Sequence, residues 1–202
     1  MKHATAVKRL HTLAERCQVA AMRHDAKALV SVYAFGAVLD SKADLECPQV
    51  AVVLDEQPEE LPWSVRPPIY GSLPHFLELD KGAVAWFWRS AARPVANHYI
   101  LRPLRIWSRD SGPDTEALDA LRAGDTEKLR LPAPADADLR AQLTEELATS
   151  LAYLRRVRDN YWDQQWRRDN RGGPGVFAEN LLWDATDGYF DLLDATTQRP
   201  AP

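Results

Sequence analysis

Two apolar runs decide the fold: Ala28-Leu29-Val30-Ser31-Val32-Tyr33-Ala34-Phe35-Gly36 and, twelve residues later, Gln49-Val50-Ala51-Val52-Val53-Leu54. Both have the length of a strand and are rich in β-branched or aromatic residues, so each predicts a buried β-strand. Apolar residues at steps of three and four from Ala4 to about His24 predict a helix before the first strand. The chain is therefore expected to begin with a helix, a strand, a glycine turn and a second strand.

Two further strands are predicted, at Ala83 to Trp88 and at about Asn97 to Trp107. Pro103 interrupts the second of these, and a central strand tolerates proline poorly, so we expect this strand at an edge of the sheet. Five prolines between Pro58 and Pro74 remove backbone donors and indicate a loop that wraps one edge of the fold. A short helix is expected around Glu116 to Arg122.

The C-terminal part has a helical pattern. Leucines and other apolar residues step by three and four from Leu139 to Tyr161, which predicts a long helix from Asp138 to about Arg171. Glycines and a proline at Gly172 to Gly175 predict its end, and a last helix is expected at about Phe177 to Asp194. Helix, glycine-rich turn and helix together predict an antiparallel hairpin.

The expected fold is therefore α+β, with a small mixed sheet and flanking helices followed by a C-terminal helical hairpin. The prolines of the segment Leu131 to Ala135 indicate a stiff connector between two differently patterned regions. We place an α/β domain at residues 1–131 and the hairpin at residues 135–197. The two can pack together as one unit.

Composition restricts the class of protein. The net charge of −4 gives no general attraction to phosphate backbones, so a nucleic-acid partner would need a local basic patch. Cys17 and Cys47 are the chain's two cysteines and lie in no CxxC motif, which argues against a zinc site or a disulfide framework. Charges interrupt every apolar run, and no signal-peptide pattern opens the chain. We therefore expect a soluble, cytoplasmic protein without a membrane partner.

The segment Val32 to Ala37, followed after eleven residues by Gln49 to Leu54, resembles the signature of the nucleotidyltransferase superfamily, especially its minimal bacterial members. In that family one strand ends in Gly-Ser, and the next carries two acidic residues one position apart. The similarity covers roughly residues 4 to 108. It implies a nucleotidyltransferase-like sheet with the turn at Gly36.

Three positions depart from that signature, and they are the ones that would carry the chemistry. Ala37 stands where the family has serine, and Gln49 and Ala51 stand where it has metal-binding carboxylates. Neither an amide nor a methyl group replaces an anionic oxygen ligand for magnesium. The run Ala83 to Trp88, a candidate for the family's third carboxylate, contains no acid. We therefore expect no catalytic residue, no metal and no cofactor.

Five residues are candidates for ligand binding. Trp86 and Trp88 would project from one face of a strand, where they could form the floor of an aromatic pocket or pack in the core. His98 and Arg102 are an even number of residues apart on a predicted strand, and Arg105 could join them to hold a small anion. A lone histidine beside arginines can also be a hydrogen-bonded structural residue.

Two functions follow as hypotheses. The first is a non-catalytic, nucleotidyltransferase-like protein that binds a nucleotide, an RNA or a protein partner in a regulatory role. The alternative is a metal-independent small-molecule enzyme that uses His98, Arg102 and Arg105. The C-terminal helices offer a surface for a protein partner or a homo-oligomer. Arginines of that half, with Tyr161, Trp162 and Trp166 between them, offer the local basic patch that RNA would need.

Overall fold

The structure is a computed structural model that describes residues 1–23, 28–66, 72–81, 83–171 and 177–198. It confirms the predicted α+β class, with a five-stranded mixed sheet, flanking helices and C-terminal helices. The helices are α1 His3–Ala21, α2 Ala37–Asp40, α3 Ser72–Phe76, α4 Thr115–Ala123, α5 Asp136–Asn160, α6 Gln164–Asp169 and α7 Ala178–Thr197. None of the described helices combines the length and the apolar composition needed to cross a membrane.

The strands are β1 Leu29–Phe35, β2 Gln49–Leu54, β3 Ala85–Ser90, β4 Leu104–Ser108 and β5 Gly112–Pro113, in the order β3-β2-β1-β4-β5. The two apolar runs at residues 28–36 and 49–54 contain β1 and β2, which are adjacent and antiparallel inside the sheet. The next strand along the chain, β3, lies parallel to β2, and β4 pairs antiparallel with β1. The β1–β2 pair therefore has β3 on one side and β4 followed by β5 on the other.

Helix α1 covers one face of the sheet together with α4. Its buried residues follow the predicted stripe: Ala6, Val7, Leu10, Leu13, Ala14, Cys17 and Ala20. They pack against strand residues such as Val32, Val50 and Ile106 in the larger apolar core. Burial raises the pKa of the Cys17 thiol above its ordinary value, so this cysteine is a core residue rather than a reactive thiolate.

The opposite face of the sheet lies under the helical hairpin of α5 and α7. Phe35 and Ala51 of the sheet share an apolar cluster with Leu139 and Leu143 of α5 and with Leu192 of α7. Helices α5 and α7 also pack extensively on each other, as the predicted hairpin requires. The two halves of the chain therefore share a core.

The predicted strand from Asn97 to Trp107 is wrong in its first half, because β4 begins only at Leu104. The Asn97 side-chain oxygen accepts hydrogen bonds from the backbone N–H groups of Tyr99 and Ile100, at 3.0 and 2.8 Å. These local bonds replace ladder bonds and hold residues 97–103 in an irregular conformation. The edge position is also wrong, since β4 lies between β1 and β5.

The predicted long helix is correct in its position but too long. Helix α5 ends at Asn160, and the Asp163 side chain accepts a hydrogen bond of 2.6 Å from the backbone N–H of Trp166. Asp163 is thereby the N-cap of the separate helix α6, which explains the break. Residues 172–176, where the glycine-rich turn was predicted, lie outside the described residues.

The predicted proline-rich loop is irregular over residues 55–66, but Pro74 lies inside the short helix α3. Residues 67–71, which include two of its prolines, lie outside the described residues. Trp63 of this loop is only 3% exposed. The loop is therefore exposed or half-buried over residues 55–60 and packed into the core around Trp63.

Candidate functional site at the glycine turn

The turn after β1 needs a glycine. Gly36 has φ 73° and ψ −151°, a conformation that residues with a side chain rarely adopt. A Cβ atom at this position would lie 2.4 Å from Oε1 of Gln49. Gln49 pairs with Phe35 across the β1–β2 ladder, so its side chain passes directly over the turn. Ala37 follows as the exposed first residue of α2.

The amide of Gln49 is engaged in the site. Its Nε2 donates a hydrogen bond of 2.8 Å to the hydroxyl of Tyr99. The Tyr99 ring contacts Phe87 at 5.1 Å and Phe35 at 5.9 Å between ring centroids. A neutral amide bound to a phenol therefore occupies the first position at which the resembled family carries a metal ligand.

Ala51, at the second such position, is completely buried. It pairs with Tyr33 on β1 and with Phe87 on β3. Its methyl group belongs to the same apolar cluster as Leu139 and Leu192 of the covering helices. In the described part of the chain, the sheet is therefore closed by apolar packing around Ala51.

Trp63 fills the space between the sheet and the hairpin. Its ring stacks on Phe87, with centroids 5.1 Å apart and planes inclined by 5°. Gly188 of α7 permits this position, because a Cβ atom there would lie 2.1 Å from the main-chain oxygen of Trp63. The loop backbone therefore lies directly against the helix.

Asp191 of α7 ties this aromatic cluster to the hairpin. Its Oδ2 accepts a hydrogen bond of 2.5 Å from the Trp63 indole and lies 3.1 Å from Nε2 of His98. The hydrogen bond from His98, with that from Trp63, lowers the pKa of Asp191 despite partial burial, which raises it. The His98 side chain is 6% exposed and packs edge-on against Trp63. These contacts fit the structural interpretation of His98.

A buried ion pair links the edge strand β3 to α5. Nη2 of Arg89 lies 2.6 Å from Oε1 of Glu146, and the two side chains are 4% and 2% exposed. The same Arg89 nitrogen donates to the main-chain oxygen of Pro94 at 2.9 Å. Neither residue was predicted as a buried charge.

Further polar groups surround this pair. Gln142 donates to Glu146 at 2.8 Å and to the main-chain oxygen of Ala96 at 3.1 Å. Burial alone would raise the pKa of Glu146, but the charge of Arg89 and the hydrogen bonds from Arg89 and Gln142 outweigh it. The pKa of Glu146 therefore lies below its ordinary value, and the carboxylate is charged at neutral pH.

Trp86 and Trp88 lie on one face of β3, as predicted, and this face is the one packed on the larger core. Trp88 is buried there. Trp86 is partly buried and lines a cavity of about 390 Å³ together with Cys47 and Arg66. The Arg66 guanidinium lies 4.7 Å from the Trp86 ring centroid, and Nε1 of Trp86 has no hydrogen-bond partner among the described residues.

The predicted grouping of His98, Arg102 and Arg105 on one strand face is wrong, because the first two precede β4. Arg102 has a φ of 46° and pairs with Glu127 at 2.7 Å. Arg105 lies 3.5 Å from Asp114, the N-cap of α4. The three side chains thus have acidic partners on three different segments. That they bind a ligand stays a prediction.

The arginines of the C-terminal half also have acidic neighbours. Arg156 pairs with Glu60 at 2.8 Å, and Arg167 pairs with Glu179. Arg167, Arg168 and Arg171 line a cavity of about 360 Å³ next to the start of α7. Within the part of the chain that the structure describes, no three histidine, cysteine or acidic side chains come together as metal ligands.

Comparison with known proteins places the chain in a family. Residues 1–198 match the model of a protein family described as Domain of unknown function (DUF7711). No curated protein and no solved structure matches the chain.

Proposed function

The chain belongs to the DUF7711 family, and we propose that it is a non-catalytic, nucleotidyltransferase-like protein that acts by binding a partner in a regulatory role. The observation that carries this proposal is the closed face of the sheet beside Gly36. Gln49 is bonded to Tyr99, and Ala51 is packed under the hairpin. Magnesium-dependent phosphoryl transfer needs carboxylate oxygens at an open site, and these contacts favour a binding role instead.

Exposed aromatic residues support a protein as that partner. Trp183 and Phe190 of α7 are 76% and 54% exposed, and Trp162 is 81% exposed. Aromatic residues are enriched in protein interfaces, where they supply most of the buried contact energy. RNA gains less support, since Arg156 and Arg167 already have carboxylate partners.

The alternative enzyme gains no support from the geometry. His98, Arg102 and Arg105 would have to converge on one substrate, yet they pair with Asp191, Glu127 and Asp114 on separate segments. General acid or base catalysis requires such groups within hydrogen-bond reach of one substrate.

A transfer assay tests the non-catalytic part of the proposal. The purified chain, incubated with magnesium or manganese and labelled nucleoside triphosphates, is expected to transfer no label to RNA or protein above a protein-free control. An active nucleotidyltransferase run in parallel shows that the assay works. Metal-dependent transfer that is lost in the Gln49→Ala variant would overturn the proposal.

A measurement of self-association tests whether the partner that binds the exposed aromatic residues is a second copy of the chain. Light scattering after size exclusion is expected to give a mass that falls on dilution, because exposed aromatic side chains drive weak association. The double variant Trp183→Ser, Phe190→Ser should stay monomeric at every concentration. Arg140→Ser, at an exposed position of α5, is the matched control and should behave as wild type. A wild-type mass that equals the monomer mass at every concentration would exclude the homo-oligomer and leave a different protein as the partner.

A further inference from the structure

A groove runs along α1 on the side of the molecule opposite the hairpin. It has a volume of about 850 Å³ and lies between α1, the loop after α2 and the end of α4. Of the described side chains that line it, four are cationic, two are imidazoles and two are carboxylates: Lys2, Lys8, Lys42, Arg122, His3, His11, Glu15 and Asp44. This is a local basic patch in a chain whose net charge is −4.

Lys42 and the end of α4 form the wall of this groove that faces α1. Nζ of Lys42 donates a hydrogen bond of 2.7 Å to the main-chain oxygen of Ala123, at the C-terminal end of α4. A Cβ atom on Gly124 would lie 2.2 Å from Cε of Lys42, so the lysine stem passes directly over this glycine. The α4 C-terminus carries partial negative charge, which stabilises a cation here.

Arg122 reaches the groove from the same helix end. Its Nη2 lies 3.4 Å from Nε2 of His11, and that nitrogen lies 3.2 Å from the main-chain oxygen of Leu118. One imidazole nitrogen cannot donate to the carbonyl and accept from the guanidinium at the same time. Nη1 of Arg122 donates to Oδ1 of Asp119 at 3.1 Å. With the His11 proton on Nε2 directed to Leu118, Nη2 of Arg122 keeps a donor for another acceptor.

A second cavity of about 330 Å³ continues along α1 and shares Lys8 and Thr12 with the groove. Arg9 and Arg16 line it, and Arg16 pairs with Glu78 at 2.7 Å. Nη1 of Arg9 and Nε of Arg16 are nevertheless buried without a hydrogen-bond partner in the described part of the chain. Buried donors of a charged group that lack an acceptor are costly, and phosphate oxygens are acceptors of the kind that such donors require.

We infer that these two cavities, which together we call the α1 groove, form a binding site for a small phosphorylated anion of nucleotide size. Lysine and arginine are the side chains that hold phosphate oxygens, and 850 Å³ lies within the usual size of small-molecule sites. Val7 and Ala4 supply apolar wall for the rest of the ligand. Apart from two imidazoles, the described lining has no aromatic ring, and single-stranded nucleic acid binding relies on such rings for stacking. The inference does not depend on the proposed function, because it uses none of the residues beside Gly36.

Calorimetric titration of the full chain tests this site with ATP, inorganic pyrophosphate and adenosine as probes, all without metal. ATP is expected to bind and adenosine is not. Pyrophosphate binding as tight as that of ATP would assign recognition to the phosphates alone, whereas binding of ATP only would identify a nucleotide; both results support the site. No heat from either phosphate probe at millimolar concentration, or equal binding of adenosine and ATP, would overturn it.

Two charge reversals locate the binding. Lys8→Glu changes the exposed lysine that both cavities share and should weaken ATP or pyrophosphate binding by at least about tenfold. Lys128→Glu makes the same change at an exposed lysine outside both linings and should alter affinity by less than about twofold at physiological salt, where distant charges are screened. Equal affinities of the two variants would place the phosphate elsewhere. A single-stranded RNA that binds more tightly than ATP, and depends on Lys8, would replace the small ligand.

Discussion

The Glu146→Ala variant is expected to lose about 3–5 kcal/mol of unfolding free energy, because it leaves Arg89 charged and unpaired in the protein interior. Both side chains are almost completely buried and lie 2.6 Å apart. Urea unfolding followed by tryptophan fluorescence measures the loss. A cost below about 1 kcal/mol would mean that water reaches Arg89 in solution.

The matched control removes both charges. The double variant Arg89→Met, Glu146→Leu is expected to recover most of the stability, since apolar side chains of similar volume often replace a buried ion pair without loss. The single variants Arg89→Met and Glu146→Leu, together with this double variant and the wild type, form a cycle that separates the pair's interaction from the burial of each group. A double variant as unstable as the worse single variant would contradict this account.

Because the pKa of Glu146 is lowered in the folded protein, the free energy of unfolding depends on pH. The folded-state pKa lies below its ordinary value of 4.5, so the stabilisation is complete above pH 4.5 and is lost as pH falls through the folded pKa. The difference in stability between wild type and Glu146→Gln should therefore shrink below pH 4.5. A difference that stays constant down to pH 3 would mean that the carboxylate is not stabilised in the folded state.

Ala51→Asp, which restores the acid of the resembled family, is expected to cost about 3 kcal/mol or more, because the new carboxylate is buried without a partner. Such a loss is a large part of the usual stability of a domain, about 5–15 kcal/mol, so we expect a lower yield of folded protein for this variant. Ala37→Asp is the same substitution at the exposed neighbour of Gly36 and should change stability by less than about 0.5 kcal/mol. Thermal and urea unfolding of the two variants compare the sites directly.

The outcome also bears on the proposed function. If Ala51→Asp folded as well as Ala37→Asp and bound manganese, the face beside Gly36 would be open to water and ions in solution. The closed packing of Ala51 under Leu139 and Leu192 would then be wrong.

Local patterns were sufficient to predict most elements of the fold. Strands β1 and β2 are short runs of β-branched residues, and α1 has an unbroken apolar stripe from Ala6 to Ala20. The pattern was misleading where a side chain competes with the backbone. Asn97 bonds to Tyr99 and Ile100, and Asp163 caps a new helix, so an extended strand and a continuous helix were predicted in error.

The site was harder to predict because its contacts are distant in sequence. The buried positions of α5 include Glu146, Ser150 and Tyr153, at the same helical spacing as its leucines, yet an apolar stripe omits polar residues. A glutamate is buried here only because Arg89 neutralises it, and that partner lies on another element. The burial of Trp63 was not predicted, because the prolines around it indicate a loop. The cations of the α1 groove likewise come from four separate segments of the chain.

The core shared by the two halves of the chain joins residues that are synthesised at different times. Arg89 and Glu146 are 57 positions apart, and Trp63 and Asp191 are 128 apart. A ribosome releases the N-terminal part first, so the aromatic side of the sheet leaves the exit tunnel well before α7 exists. The part of that surface that α7 covers therefore stays exposed to water until α7 has been synthesised. Maturation of this protein is therefore completed only after the last helix has been released.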